Sequence, residues 1–170
     1  MPDLTIRSEV PGVEEQSAVR CVIAAAFGRP DEADLVDRLR AGDTTLLSLV
    51  AELDQRVVGH ILFSRMWIDA PDGPIPAAAL APLAVLPEHQ RRGIGGQLLR
   101  HGLNLLSDQG ERIVIVLGHP DYYPRFGFSC EKARDLESPF PREAFMALEL
   151  ILGALDGIRG TVRYAAAFGL

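Results

Sequence analysis

The stretch from Leu83 to Leu106 constrains the fold most. An apolar segment, Leu83-Ala84-Val85-Leu86, stops at Pro87, and the polar loop Glu88-His89-Gln90-Arg91-Arg92 leads into Gly93, Gly95 and Gly96. After the glycines, Ile94, Leu98, Leu99, Leu103 and Leu106 recur at helical spacing until Gly110. Strand, loop and helix start in this order make an anion site. The first N–H groups of a helix lack intrahelical partners and lie at the positive end of its dipole. Glycines let the backbone approach such a ligand, and Arg91 and Arg92 can add charge-assisted hydrogen bonds. Gly102 falls on or near the apolar face, where a missing side chain lets the helix lie close to a sheet. Arg112 to Leu117 is an Ile/Val-rich strand. The unit is therefore βαβ, with parallel neighbouring strands and a right-handed crossover.

Particular positions exclude other glycine loops. A dinucleotide fingerprint needs glycine at position 98, where leucine stands, and a Walker loop needs a Gly-Lys-Ser/Thr run that the loop lacks. The formal charge is −6. That sign argues against general nucleic-acid or anionic-membrane binding and suits a cationic substrate, so the basic pair at 91–92 has a local meaning. Cys21 and Cys130 give neither a disulfide framework nor metal-ligand spacing, and no metal is expected. The acids Glu9, Glu14 and Glu15 interrupt the first twenty residues, and no apolar run reaches the roughly 18 residues of a membrane span. The expected setting is cytoplasmic, and the length fits one domain spanning residues 1–170.

The remaining segments surround this unit. Leu4-Thr5-Ile6-Arg7 alternates as a half-buried strand, and Val13 to Phe27 carries helical spacing ended by Gly28. Pro30-Asp31-Glu32 starts a second helix, with acids first, Arg38 and Arg40 last, and Gly42 beyond. Leu46 to Leu53 and Val57 to Met66 read as a hairpin across Asp54-Gln55-Arg56. Pro71-Asp72-Gly73-Pro74 turns the chain into Ala77 to Leu86, apolar on both faces and so central. Pro82 predicts a bulge or open edge there. Later, a short helix is expected from Asp121 to Gly127, a strand from Ala144 to Leu152, and a last strand near Gly160 to Tyr164.

Gln90-Arg91-Arg92-Gly93-Ile94-Gly95 fits the Gln/Arg-x-x-Gly-x-Gly/Ala signature of the GCN5-related N-acetyltransferases (GNAT). With the flanking strand and helix and the downstream Tyr123-Pro124-Arg125-Phe126-Gly127-Phe128, the chain resembles that family over roughly residues 4 to 164. Leu80-Ala81-Pro82-Leu83 and Pro120-Asp121-Tyr122-Tyr123 are most similar to its bacterial YhbS-like branch. The resemblance implies an α/β (α+β mixed-sheet) fold of about seven strands, mostly antiparallel around one central parallel pair and flanked by helices. It also implies acetyl-coenzyme A as cosubstrate. The pyrophosphate would lie on the loop and helix start, Gln90, Arg91, Arg92, Gly93, Ile94, Gly95 and Gly96. The pantetheine arm would run beside the backbone of Leu83, Ala84 and Val85.

The implied reaction is direct attack of a primary amine on the thioester in a ternary complex, with a small molecule or peptide as acceptor. A lysine-like ammonium costs about 4.6 kcal/mol to deprotonate at pH 7, an α-amine about 1.4 kcal/mol. Tyr123, at the position of the family's tyrosine, is the candidate acid, also touching the cofactor, with Tyr122 second. His119 is the candidate base, with His60 and Glu149 behind it, since the central strand carries no acid. His89 and His101 read as solvent-facing. Cys130 is the residue a covalent acetyl intermediate would need, though nothing near it marks it as activated. Asp31, Glu32 and Asp34 are either a solvated helix start or an entrance that attracts a cation. The assembly leaves room for a homodimer. Two other classes compete: a coenzyme A-binding sensor or pseudo-enzyme without acceptor chemistry, and an interaction module without cofactor affinity.

Overall fold

The computed structural model describes residues 3–170. β1 (Leu4–Ser8) is followed by α1 (Val13–Phe27) and α2 (Asp31–Ala41). Then come β2 (Thr45–Leu53), β3 (Arg56–Ala70), β4 (Gly73–Val85), α3 (Ile94–Asp108) and β5 (Ile113–Leu117). The chain closes with β6 (Leu136–Glu137), β7 (Phe145–Glu149) and β8 (Gly160–Arg163). The sheet has eight strands in the order β1-β2-β3-β4-β5-β7, with β8 beside the far half of β3 and β6 beside β8. β4 and β5 are the central parallel pair, and β6–β8 is a second, two-residue parallel contact. The strand the composition does not announce is β6, which is too short to carry a period. No helix among the described residues is long and apolar enough to cross a membrane.

Local chemistry sets these elements. Asp54 and Gln55 both take positive φ, 49° and 66°, as a two-residue type I′ hairpin requires. β3 and β4 extend beyond the expected ends, to Ala70 and from Gly73, because their pairing continues through Ile68↔Ile75 to the Pro71-Asp72 turn. Pro74 and Pro76 are tolerated within β4 because, two residues apart, both missing N–H groups fall on the same edge. At Pro82 the β3–β4 register shifts between Ile61 and Phe63, which is the irregularity expected there.

Helices cover both faces. A Cβ placed on Gly102 of α3 would lie 2.6 Å from the Phe63 ring, and one on Gly59 would lie 3.0 Å from Leu98. α3 therefore rests directly on the Gly59/Phe63 face, and its register needs glycine at both points. The opposite face meets α2 through a buried polar chain. Arg40 donates to Glu9, Ser48 Oγ donates to Glu9, and Ser48 Oγ lies 2.8 Å from His60 Nε2. Since the serine proton goes to the carboxylate, His60 must supply the proton at Nε2, which leaves its Nδ1 bare and without a partner. Burial, then the nearby Arg40 charge, lowers the His60 pKa to about 3. The 3.8 Å approach of His60 to Glu9 is thus a contact of a neutral ring, not an ion pair. One large core joins α1, α2 and α3 to the sheet; a smaller one gathers Met66, Ile68, Ile113, Phe145 and Val162.

Candidate active site

The cradle begins with Gln90. Its side-chain amide donates to the Val85 carbonyl at 2.9 Å, fastening the loop to the end of β4. A single 3-10 turn, Pro87–His89, fills the loop that the sequence leaves irregular. Arg91 takes φ 62° and Gly93 φ 82°, two left-handed residues that swing the chain into α3. The first α3 amide bonded within the helix is Gln97, to the Gly93 carbonyl; those of Ile94, Gly95 and Gly96 precede it. Three donors at a helix N-terminus therefore face one point.

Beside the cradle the sheet opens. β4 and β5 pair only at Ala78, Ala79 and Leu80, while β4 runs on to Val85 with nothing beside that edge. Leu86 donates to Val58 at 2.8 Å. Alternation along the antiparallel ladder then sends both backbone groups of Ala84 to His60, and those of Leu83 and Val85 away from β3 into the gap. Ala84, expected in the cofactor's path, instead spends its backbone on β3 and its methyl in the core. Gln90 already occupies the Val85 carbonyl, so the gap offers both Leu83 groups and the Val85 N–H.

A cavity of about 950 Å³ passes through this opening. Its α3 side is lined by Gln90, Arg91, Gly93, Gly95, Gly96 and Arg100, and its other side by Phe27, Glu32 and Leu35 of α1 and α2. Pro82, Leu83, Leu117, His119, Tyr122 and Tyr123 lie along it. Arg92, Ala84, Val85 and Ile94 are not among its lining residues. Arg92 is exposed, and Ile94 is buried in the core, so Ile94 can reach a ligand only through its backbone.

Tyr122 and Tyr123 are held differently. A Cβ on Gly118 would lie 2.2 Å from the Tyr123 ring, so the tyrosine fits only because a glycine follows β5. Its ring also meets Tyr122 and Phe128 edge-on, at centroid distances of 5.1 and 5.7 Å. The Tyr122 hydroxyl lies 3.0 Å from where a Gly95 Cβ would be, over the helix start. Burial, and then the neighbouring Tyr122 phenol, pushes the Tyr123 phenol well above its ordinary range. The short helix is a 3-10 turn, Tyr123–Phe126, stopped by Gly127 at φ 97°. Asp121 does not cap it: the amide of Asp121 bonds to His119 Nδ1 and those of Tyr122 and Tyr123 to the His119 carbonyl, while Pro124 shortens the turn.

That same bond changes the reading of His119. With Nδ1 accepting from the Asp121 amide at 3.2 Å, the neutral ring carries its proton on Nε2 and has no free lone pair. In this geometry His119 is a donor rather than a base. His60 lies in the core outside the cavity, and Glu149 Oε2 accepts from the Leu155 amide at 2.8 Å, closing the turn after β7. His89, expected in solvent, is half-buried, whereas His101 is exposed. Cys130 is exposed outside the cavity, and its thiol donates to the Glu143 carbonyl at 3.4 Å. Among the described residues no group of His, Cys, Asp and Glu is arranged to hold a metal ion.

Sequence reasoning missed Arg100, Arg125 and Phe126. Arg100 stacks on the Phe126 ring at 4.9 Å, and Arg125 on Tyr122 at 4.7 Å, so two guanidinium groups flank the helix start. Helical spacing carried the signal for the first, since Arg100 is four residues from Gly96 and shares its face.

The comparisons agree with this geometry. The model of the Acetyltransferase (GNAT) domain matches residues 13–130, more than half of the chain. The uncharacterized N-acetyltransferase YjhQ of Escherichia coli is 43% identical over 75% of this chain and 72% of its own. The crystal structure of E. coli YhbS, a GNAT family N-acetyltransferase in complex with CoA, superposes with a TM-score of 0.90 at 32% identity, covering 100% of this chain and 94% of that one. A GNAT family acetyltransferase from Brucella melitensis in complex with acetyl-CoA gives a TM-score of 0.81 at 37% identity, covering 98% of both chains. The cradle, the parted strands and these relatives agree, and the chain belongs to the GNAT family of acetyltransferases.

Proposed function

We propose that the protein transfers an acetyl group from acetyl-coenzyme A to a primary amine of a small molecule or peptide, by direct attack in a ternary complex within a single domain. The observation that carries this is the cavity that crosses the sheet where β4 and β5 part, with a phosphate cradle at one mouth. The pyrophosphate would lie on the amides of Ile94, Gly95 and Gly96 with Arg91 beside them. The pantetheine would pair with Leu83 and Val85 like an added strand. Relatives bound to CoA and acetyl-CoA support this assignment.

The amine nitrogen forms the new bond to the carbonyl carbon as the carbon–sulfur bond breaks. One ammonium proton leaves to water before attack, and a second, shed by the nitrogen as the amide forms, passes to the departing thiolate. Tyr123 assists that departure. A phenol held above its ordinary range is a weaker acid than a thiol of pKa about 8.5, so its contribution is a hydrogen bond to the developing thiolate. The first proton goes to water, since His119 has no free lone pair in this geometry, and this favours amines of low pKa. Isothermal titration with acetyl-coenzyme A should show binding at micromolar concentration, and thiol release with a mixed panel of amines should follow. Binding without thiol release would instead make the protein a coenzyme sensor, and no binding would remove both readings.

A further inference from the structure

The lining of the cavity includes one carboxylate, Glu32, which has no part in the chemistry so far. Of the three acids that open α2, Asp31 is exposed and Asp34 pairs with Arg20, but Glu32 lines the cavity with its side chain only 16% exposed. The cavity is also lined by the apolar side chains Phe27, Leu35, Leu80 and Leu117. Phe27 is a large apolar side chain left 41% exposed at the mouth, and Leu117 is 42% exposed. Glu32 is held by Arg29, whose Nε lies 3.1 Å from both carboxylate oxygens and whose Nη2 donates to Oε1, and Arg29 itself is 61% exposed. The surroundings are therefore apolar walls, one fixed anion, and a solvent-exposed cation with which a ligand's charge would compete.

Resting on the acetyltransferase reading, we infer that Glu32 is a specificity residue that binds a second positive charge on the acceptor, so that preferred acceptors are amines carrying another cationic group across an apolar spacer. The reacting nitrogen itself is a poor partner for Glu32. An ion pair would favour the charged ammonium and oppose the deprotonation that attack requires. A base role is equally unsuitable, because Arg29 holds the Glu32 carboxyl below the usual carboxylate range. A distant ammonium has neither conflict: it gains Coulomb energy in a partly enclosed site while its spacer covers Phe27 and Leu35. The net acidic charge of the protein would help draw such a ligand in.

The test pairs diaminobutane with n-butylamine, and diaminohexane with n-hexylamine, measuring thiol release from acetyl-coenzyme A. The native protein should prefer the better-fitting diamine over its matched monoamine by about tenfold or more in kcat/KM. Glu32→Gln should abolish that preference with acetyl-coenzyme A affinity retained, and Glu32→Asp should restore part of it. Arg29→Ala provides the decisive contrast. If Glu32 and Arg29 only brace the start of α2, both changes lower activity together. If Glu32 is the ligand's counter-ion, removing Arg29 removes its competitor, and the diamine preference rises. No preference in the native protein, an unchanged preference in Glu32→Gln, or parallel losses in both variants would overturn the inference. So would acetyl-coenzyme A binding without turnover of any of these amines. Absence of acetyl-coenzyme A binding would instead overturn the acetyltransferase reading beneath it.

Discussion

The two mouths of the cavity are made of different material. On the α3 side the ligand would meet backbone amides set by a tight turn, with Arg91, Arg100 and Arg125 around them. On the α1/α2 side it would meet only side chains, chiefly Phe27, Glu32 and Leu35. Backbone donors are fixed by φ, ψ and the helix axis, and they tolerate changes of residue provided glycine stands where the chain comes close. Side-chain walls change with every substitution. The first construction suits a ligand common to many reactions, the second an acceptor particular to this one.

Substitutions can break that contrast in order of expected size. Tyr123→Phe, where the mouths meet, should lower kcat about 10²-fold or more while the acetyl-coenzyme A dissociation constant changes less than about twofold. Full turnover with chemistry rate-limiting would remove Tyr123 from the mechanism. Arg91→Ala should weaken acetyl-coenzyme A binding about tenfold to a hundredfold by calorimetry, increasingly so at low salt. Arg92→Ala, outside the cavity, should change it by less than about threefold. Equal effects of the two arginines would mean that the sequence pair, rather than the left-handed turn at Arg91, defines the cradle.

A subtler difference concerns the support of α2. His60 is neutral when folded, with a pKa lowered to about 3 by burial and Arg40, whereas in the unfolded chain it titrates near 6.5. As pH falls through 6.5 the unfolded state takes up a proton that the folded state refuses. Stability should therefore decline by about 1.4 kcal/mol per pH unit between those values, with no such effect above 6.5. Urea unfolding of the native protein and His60→Gln at pH 7.5 and 5 should show the decline in the first and a smaller one in the second. Identical slopes would mean that the Glu9–Arg40–Ser48–His60 chain takes up the proton without cost.

Much of the donor side was legible because its signals are local. The apolar alternation before Pro87, the glycines at 93, 95 and 96 and the helical spacing of Leu98 to Leu106 each act within a few residues, and Gly102 could be assigned to close packing from its place in that pattern. The α1/α2 side was legible only in part: the acids that open α2 could be read as an entrance, but which of them lines the cavity depends on tertiary placement. Glu32 looks like Asp31 and Asp34 in the sequence, and only the approach of α2 to the parting of β4 and β5 distinguishes it. His119 shows a related limit: its residue type suggests a base, but the contact of its Nδ1 with the Asp121 amide two residues on is set by the loop and not by residue type. β6 escaped notice because a strand of two residues carries no usable period, and β8, expected as a strand near Gly160 to Tyr164, gave no local sign of its pairing with the far half of β3.

In the proposed reaction, donor and acceptor occupy opposite mouths of one cavity and react directly. Initial rates of thiol release measured across a grid of acetyl-coenzyme A and amine concentrations test this most simply. Double-reciprocal lines should intersect, as a ternary complex requires, and no acetyl group should be retained on the protein when the amine is withheld. Parallel lines, with acetyl label recovered on Cys130 or any other side chain, would contradict it.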